Sequence, residues 1–121
     1  MIRPVLLSAL ATAVAHAGSA TSAPAPVAPT LEAVQAILTA RCTSCHGATK
    51  PKGKLNLTDL AQVAKQVAKS NPDKSKLYTL IVLPDTSDER MPPAGGKHAR
   101  VPDAEAETIR DWIAAGAAGL P

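Results

Sequence analysis

The sequence predicts a small all-α domain of about four helices. Its length of 121 residues is enough for one domain and not for two. Apolar residues recur at helical spacing in several separate stretches. The β-branched content of residues 75–83 would also suit a short strand, but no second strand candidate exists to pair with it. We therefore expect helices throughout the folded part.

The composition provides little material for a hydrophobic core. Hydrophobic residues make up 45% of the chain, but 24 of them are alanine, and Tyr78 and Trp112 are the only aromatic residues. Small domains with so modest a core usually depend on a disulfide, a metal, a cofactor or a partner. The composition excludes a large enzyme, a membrane-spanning bundle and an aromatic-rich protein that binds nucleic acid.

The N-terminus has the three parts of a secretory signal peptide. Arg3 precedes an apolar run over residues 5–15, and Ala15-His16-Ala17 places small residues where a signal peptidase cleaves. The run is shorter than the roughly 20 residues of a transmembrane helix. We assign residues 1–17 to a signal peptide and expect a periplasmic or secreted protein without a stable membrane span; the alternative is an uncleaved membrane anchor.

An Ala/Pro-rich segment, GSATSAPAPVAP, occupies residues 18–29. Such a composition forms an extended spacer without a core of its own. The folded domain should therefore span residues 30–121.

Capping signals predict where the helices begin. Thr30 is a good N-cap for the first helix, whose apolar stripe continues into the cysteine segment described below. Thr58 should cap the second helix, with Asp59 in its first turn. A third helix is predicted over 75–83. The last should begin near residues 102–103, with proline in its first turn and one buried face: Ile109, Trp112, Ile113 and Gly116.

The segment Cys42-x-x-Cys45-His46 is the attachment pattern for c-type haem. On a helical turn, positions i, i+3 and i+4 project to one side. Two thiols placed in this way can add to the two vinyl groups at one edge of a haem, and the neighbouring imidazole can reach the iron. The pattern therefore predicts one covalently attached haem c.

Three other interpretations of the cysteine pair compete with haem. A Cys42–Cys45 disulfide suits an exported protein, but it would close a very small loop and stabilise little. A thioredoxin-like redox motif requires a strand–helix context that the sequence lacks. A zinc site would need His46 and His98 as further ligands, and Cys45 and His46 are awkward consecutive ligands on a tetrahedral ion.

His46 is the predicted proximal ligand of the iron, and the sixth ligand must come from elsewhere. The other methionine and the third histidine lie in the predicted signal peptide, which leaves Met91, His98 or water. Met91 lies in the long loop 85–100, directly before the stiff Pro92-Pro93 pair. A methionine ligand favours the ferrous state, which suits an electron carrier. We favour Met91.

The motifs CTSCHG, PKGKLNL, SKLYTLI, ERMPP and ETIRDWIAAGA occur in this order between residues 42 and 117. Together they resemble the class I cytochromes c, most closely the planctomycete-type branch, over about residues 31–118. The resemblance implies a cytochrome c fold wrapped around one haem, in which residues 31–46 meet residues 103–116. It also implies His46 and Met91 as axial ligands. Many class I members have an aromatic residue in the first helix, where this chain must use Ile37 and Leu38.

Charge is distributed unevenly along the chain. The formal net charge is +3, but residues 85–111 contain seven acidic residues while residues 50–76 are rich in lysine. A lysine-rich segment is either a solvated face or a surface that steers an acidic partner. The lysines of this segment are Lys50, Lys52, Lys54, Lys65, Lys69, Lys74 and Lys76.

These observations favour a monomeric, monohaem electron carrier that docks briefly on redox proteins and transforms no substrate. The alternatives are a haem-based sensor, for which Met91 must be displaceable, and a peroxidase-like enzyme, for which the sixth position must be open and His98 is the only candidate acid/base group. We also expect Tyr78 and Trp112 to flank the porphyrin.

Overall fold

The structure, a computed structural model, describes residues 27–49 and 51–121. The predicted signal peptide and most of the predicted spacer lie outside these ranges, as does Lys50. No β-strand occurs in the described ranges, where a single isolated bridge joins His46 and Pro51. The prediction of an all-α fold is confirmed. The helices are α1 (Leu31–Arg41), α2 (Leu60–Lys65), α3 (Lys76–Thr79) and α4 (Asp103–Ala114), with single 3-10 turns at Lys52–Lys54 and Pro72–Lys74.

Helix α1 begins as the sequence predicts. The side chain of Thr30 accepts a hydrogen bond from the backbone N–H of Ala33 at 3.2 Å, which satisfies one of the free donors at the helix start. The helix ends at Arg41, so the cysteine segment continues as hydrogen-bonded turns and not as further helix. Its buried face supplies Val34, Ile37 and Leu38 to the core.

Helix α4 packs against α1, as the resemblance implied. Its buried face contains three of the four predicted residues, Ile109, Trp112 and Ile113, together with Ala106. An ion pair between Arg41 Nε and Glu105 Oε2, 2.8 Å apart, links the end of α1 to the first turn of α4. The prediction that proline lies in the first turn was wrong by one position, because Pro102 is the N-cap residue.

The predicted start of α2 was wrong. Asp59 is the N-cap, and its Oδ1 accepts a hydrogen bond from the N–H of Ala61 at 2.9 Å. Thr58 belongs instead to a side-chain turn, in which its N–H and its hydroxyl both donate to the Asn56 side chain, at 3.0 and 2.6 Å. This side-chain turn ends the loop one residue later than expected.

Helix α3 is shorter than the predicted 75–83, because turns replace the helix after Thr79. The carbonyl oxygen of Leu80 accepts a hydrogen bond from the N–H of Met91 at 3.0 Å. A bond to a distant loop thus takes the place of further helix, and it brings that loop against α3.

A buried serine holds the α2–α3 connection together. The hydroxyl oxygen of Ser75, which is fully buried, accepts from the N–H of Ala68 at 2.8 Å and lies within donating distance of the carbonyl oxygens of Ala68 and Asn71. The N–H of Ser70 donates to the carbonyl of Ile113 in α4 at 2.9 Å. The segment that follows α2 is therefore attached to the α1–α4 pair.

None of the helices in 27–49 and 51–121 is both long enough and apolar enough to cross a membrane.

Replacing Trp112 tests how much the α1–α4 core depends on one aromatic side chain. Trp112 is 1% exposed, and its Nε1–H donates to the carbonyl of Ala118 at 3.1 Å. We expect Trp112→Ala to lower the free energy of unfolding by about 3–5 kcal/mol, because it removes a large buried ring. Trp112→Phe should cost less than half as much, since it keeps most of the ring. Urea denaturation followed by circular dichroism measures both; equal losses would contradict this account.

Candidate cofactor site

An apolar cleft lies between the cysteine segment and the loop that carries Met91. It consists of two adjoining cavities, both partly open to solvent. Four residues line both cavities: Cys42, His46, Ile81 and Met91. Leu55, Leu57, Leu77 and Leu80 complete the apolar wall of the larger cavity.

The cysteine segment is a compact turn at the end of α1. The N–H of Cys42 donates to the carbonyl of Leu38 at 2.8 Å, which continues the helical pattern by one residue. The N–H groups of Cys45 and His46 then both donate to the carbonyl of Cys42, at 3.2 and 2.9 Å. Both thiols and the imidazole therefore lie on the wall of the same cavity.

A backbone carbonyl orients the imidazole of His46. The Nδ1 atom lies 3.0 Å from the carbonyl oxygen of Lys52, and because a carbonyl only accepts hydrogen bonds, Nδ1 must carry the proton. The lone pair is then on Nε2, the nitrogen left for a metal. Two backbone bonds close the same loop, from Lys52 N–H to the Cys45 carbonyl at 2.8 Å and from Leu57 N–H to the His46 carbonyl at 2.7 Å.

The sequence did not indicate that Lys52 orients His46, because every residue has a backbone carbonyl and the contact therefore does not depend on residue type. The one local signal is Gly53, whose φ of 62° lies in the left-handed region that favours glycine. It identifies a tight turn beside Lys52, but it does not say which side chain that turn will meet.

Met91 reaches the cleft from the loop after α3. Its side chain is partly buried and lines both cavities, as His46 does. The alternative ligand, His98, lines only the smaller cavity. Its Nε2 lies 3.3 Å from the hydroxyl oxygen of Ser44, and the residue is exposed. The structure thus brings Met91 together with the cysteine segment and places His98 at the rim.

Burial raises the pKa of the Cys42 thiol to about 11, with smaller contributions from Cys45 and from the carboxylate of Glu105. The thiol is therefore neutral at physiological pH. A redox-active dithiol needs the thiolate, so this environment works against that alternative. A thioether carries no charge and suits the same environment.

The described part of the chain contains no group of three or more His, Cys, Asp and Glu side chains that could hold a metal ion. The zinc interpretation therefore gains no support. Both cysteines are free thiols in the structure.

The residues of the cleft fit a haem. Two thiols, an imidazole with Nε2 available and a thioether line a space whose walls are otherwise mostly aliphatic. The expectation that Tyr78 and Trp112 flank a porphyrin is not met, because neither residue lines the cleft. Trp112, in α4, is buried in the core and donates a hydrogen bond to the carbonyl of Ala118. Tyr78, in α3, is partly buried and packs against the same core.

Residues 42–95 match the family described as planctomycete cytochrome C. This match supports a planctomycete-type cytochrome c domain at these residues. The matched range includes Cys42, Cys45, His46 and Met91, and it leaves out both α1 and α4. No curated protein and no solved structure matches the chain.

Replacing Gly47 tests the geometry of the turn. A Cβ atom on Gly47 would collide with the carbonyl oxygen of Thr43, which lies inside the cysteine segment. We expect Gly47→Ala to destabilise the cytochrome domain by about 1–3 kcal/mol and to lower the share of chains that acquire haem, because the turn must shift. The ratio of haem absorbance to protein mass, together with denaturant unfolding, measures both effects.

Gly95→Ala is the matched control for Gly47→Ala, because Gly95 lines neither cavity. A Cβ atom there meets no atom within 4 Å, so only the left-handed backbone opposes it, at a cost of about 1 kcal/mol. Equal loss of haem in the two variants would show that the collision at Thr43 is not what matters.

Proposed function

We propose that this chain is a monohaem c-type cytochrome that carries electrons in the periplasm or outside the cell. One haem c is attached through Cys42 and Cys45, and the iron is held by His46 and Met91. The observation that carries the proposal is the cleft itself, where two thiols, an oriented imidazole and a thioether meet on apolar walls. The haem supplies an iron that alternates between the ferric and ferrous states.

The residues of the cleft have distinct tasks in this proposal. Cys42 and Cys45 bind the haem covalently, so the cofactor is not lost by dilution. His46 offers Nε2 to the iron because Lys52 holds the opposite nitrogen. Met91 offers a thioether, which stabilises the ferrous state and raises the reduction potential. The aliphatic walls keep water away from the metal and limit rearrangement between the two oxidation states.

Two polar side chains, Gln66 and Lys76, line the larger cavity. The ammonium group of Lys76 would supply a counter-charge for the carboxylates of a haem bound there.

An electron carrier agrees with the cleft better than an enzyme does. A peroxidase-like reaction needs an open sixth position and an acid/base group beside it. Met91 lines both cavities, and His98, the candidate acid/base group, lies at the rim beside Ser44. Both features support a closed, six-coordinate site.

The visible spectrum of the exported protein, oxidised and reduced, tests the haem, its attachment and its ligands together. We expect a low-spin spectrum with the long-wavelength band of methionine bound to ferric iron. Met91→Ala should abolish that band and let the reduced protein bind carbon monoxide, because the sixth position is vacated.

His98→Ala is the control for Met91→Ala and should change neither the band nor carbon monoxide binding. Carbon monoxide binding by the unaltered protein would favour the sensor. A high-spin spectrum that depends on His98 would favour the enzyme.

The lysine-rich segment provides the docking surface in this proposal. The lysines described in residues 52–76 are all exposed, and none of them forms an ion pair within the described part of the chain. Lys54 and Lys65 border a shallow depression that shares Leu55 and Gln66 with the larger cavity. Two exposed lysines therefore lie beside a depression that adjoins the cleft, where they would steer an acidic redox protein.

The salt dependence of electron transfer tests this surface. We expect the rate with an acidic redox protein to fall steeply as ionic strength rises, because salt screens the attraction. The double variant Lys54→Gln/Lys65→Gln should flatten this dependence. A matched loss of two positive charges outside the segment, Lys97→Gln/Arg110→Gln, should change it much less. If both pairs act alike, only net charge matters and no local surface is involved.

A further inference from the structure

Arg90 is the only charged side chain that is buried in the described part of the chain; the residue is 5% exposed. Burying a guanidinium group is costly unless its donors are paired. Because Arg90 directly precedes Met91, its hydrogen-bond partners show how the loop that carries Met91 is held in place.

The guanidinium of Arg90 binds the loop at points on either side of Met91. Its Nε donates to the carbonyl of Pro92 at 3.0 Å, and its Nη1 forms an ion pair with the carboxylate of Asp85. The backbone N–H of Met91 is held separately by the carbonyl of Leu80. The loop is thus restrained before Met91, at Met91 and after it.

Arg100 also bonds to the carboxylate of Asp85, but it does not hold the loop after Met91 as Arg90 does. Nη1 of Arg100 lies 3.1 Å from Asp85 Oδ1, and its Nη2 lies 3.4 Å from the carbonyl of Val82. Arg100 is exposed and makes no bond to Pro92. It therefore provides a comparison in which one ion pair is lost while the contact beyond Met91 remains.

We propose that Arg90 is a positioning residue for the axial ligand Met91. Arg90 holds the backbone on both sides of Met91 in place. It thereby favours binding of the Met91 thioether to the iron over binding of competing small molecules. A methionine side chain is unbranched and has three rotatable bonds, so its placement must come from the backbone that carries it. This inference rests on the proposed function, because it requires Met91 to bind the haem iron.

The role is separable from the stability of the core. The hydrophobic core contains Ile81 and Val101 but no residue between them, and Met91 packs against it as a partly buried side chain. Arg90 is buried and its partner Asp85 is 72% exposed, so their ion pair stabilises the loop that contains both residues. Loosening this loop should leave the α1–α4 core folded while Met91 dissociates more easily.

Imidazole binding to the ferric, haem-loaded protein tests the proposal. Imidazole must displace Met91, and the loss of the methionine–iron band reports its affinity. We expect Arg90→Gln to bind imidazole about tenfold more tightly or more, the effect of losing a charged hydrogen bond that favours the closed loop. Arg100→Gln, the matched control, should differ from the unaltered protein by no more than about twofold, as an exposed pair predicts.

Arg90→Lys keeps the charge but loses the planar donor pair, so we expect an intermediate affinity for imidazole. It also serves as the test if Arg90→Gln does not accumulate. Denaturant unfolding of each variant measures any purely structural effect, which would lower the unfolding midpoint without changing imidazole affinity.

The outcomes separate this inference from the proposed function. If Arg90→Gln and Arg100→Gln bind imidazole equally, or if the Arg90 variants change only the unfolding midpoint, the positioning role is wrong and the ligand set stands. If the unaltered protein shows no methionine–iron band, the proposed ligand set falls, and the role of Arg90 falls with it.

Discussion

The hydrogen bond between Nδ1 of His46 and the carbonyl oxygen of Lys52 is the contact on which the site depends. It selects the tautomer of the imidazole and leaves the lone pair of Nε2 for a metal. The loop that supplies the carbonyl is closed by backbone bonds to Cys45 and His46 themselves. One short segment at the end of α1 therefore carries both thiols, the imidazole and the group that orients the imidazole.

The two sides of the cleft are held by different means. The cysteine side is a local turn built on the end of α1, whereas Met91 is carried by a long loop that touches the helical core at Leu80 and is restrained by the buried guanidinium of Arg90. The position of Met91 therefore depends on the contacts that Leu80 and Arg90 make with this loop. For this reason we expect a competing ligand to displace Met91 and not His46.

The core and the cleft differ in their use of aromatic residues. Trp112 is buried within the α1–α4 core, and the cleft is walled by aliphatic side chains. No Tyr or Trp side chain among the described residues lines the cleft, so a porphyrin bound there would be its only large flat group. The depression beside Lys54 and Lys65 shares Leu55 and Gln66 with the larger cavity.

The sequence by itself determined the features that depend on near neighbours: the spacing of Cys42, Cys45 and His46, the cap of α1 and the apolar face of α4. It also narrowed the second ligand to Met91, His98 or water, because few residues of the right type exist. Only the structure decided that Asp59 caps α2, that Trp112 lies away from the cleft, and that the carbonyls of Lys52 and Pro92 hold His46 and the loop of Met91. Those outcomes depend on backbone carbonyls, on side-chain turns and on tertiary packing, and the pattern of residue types alone does not show them.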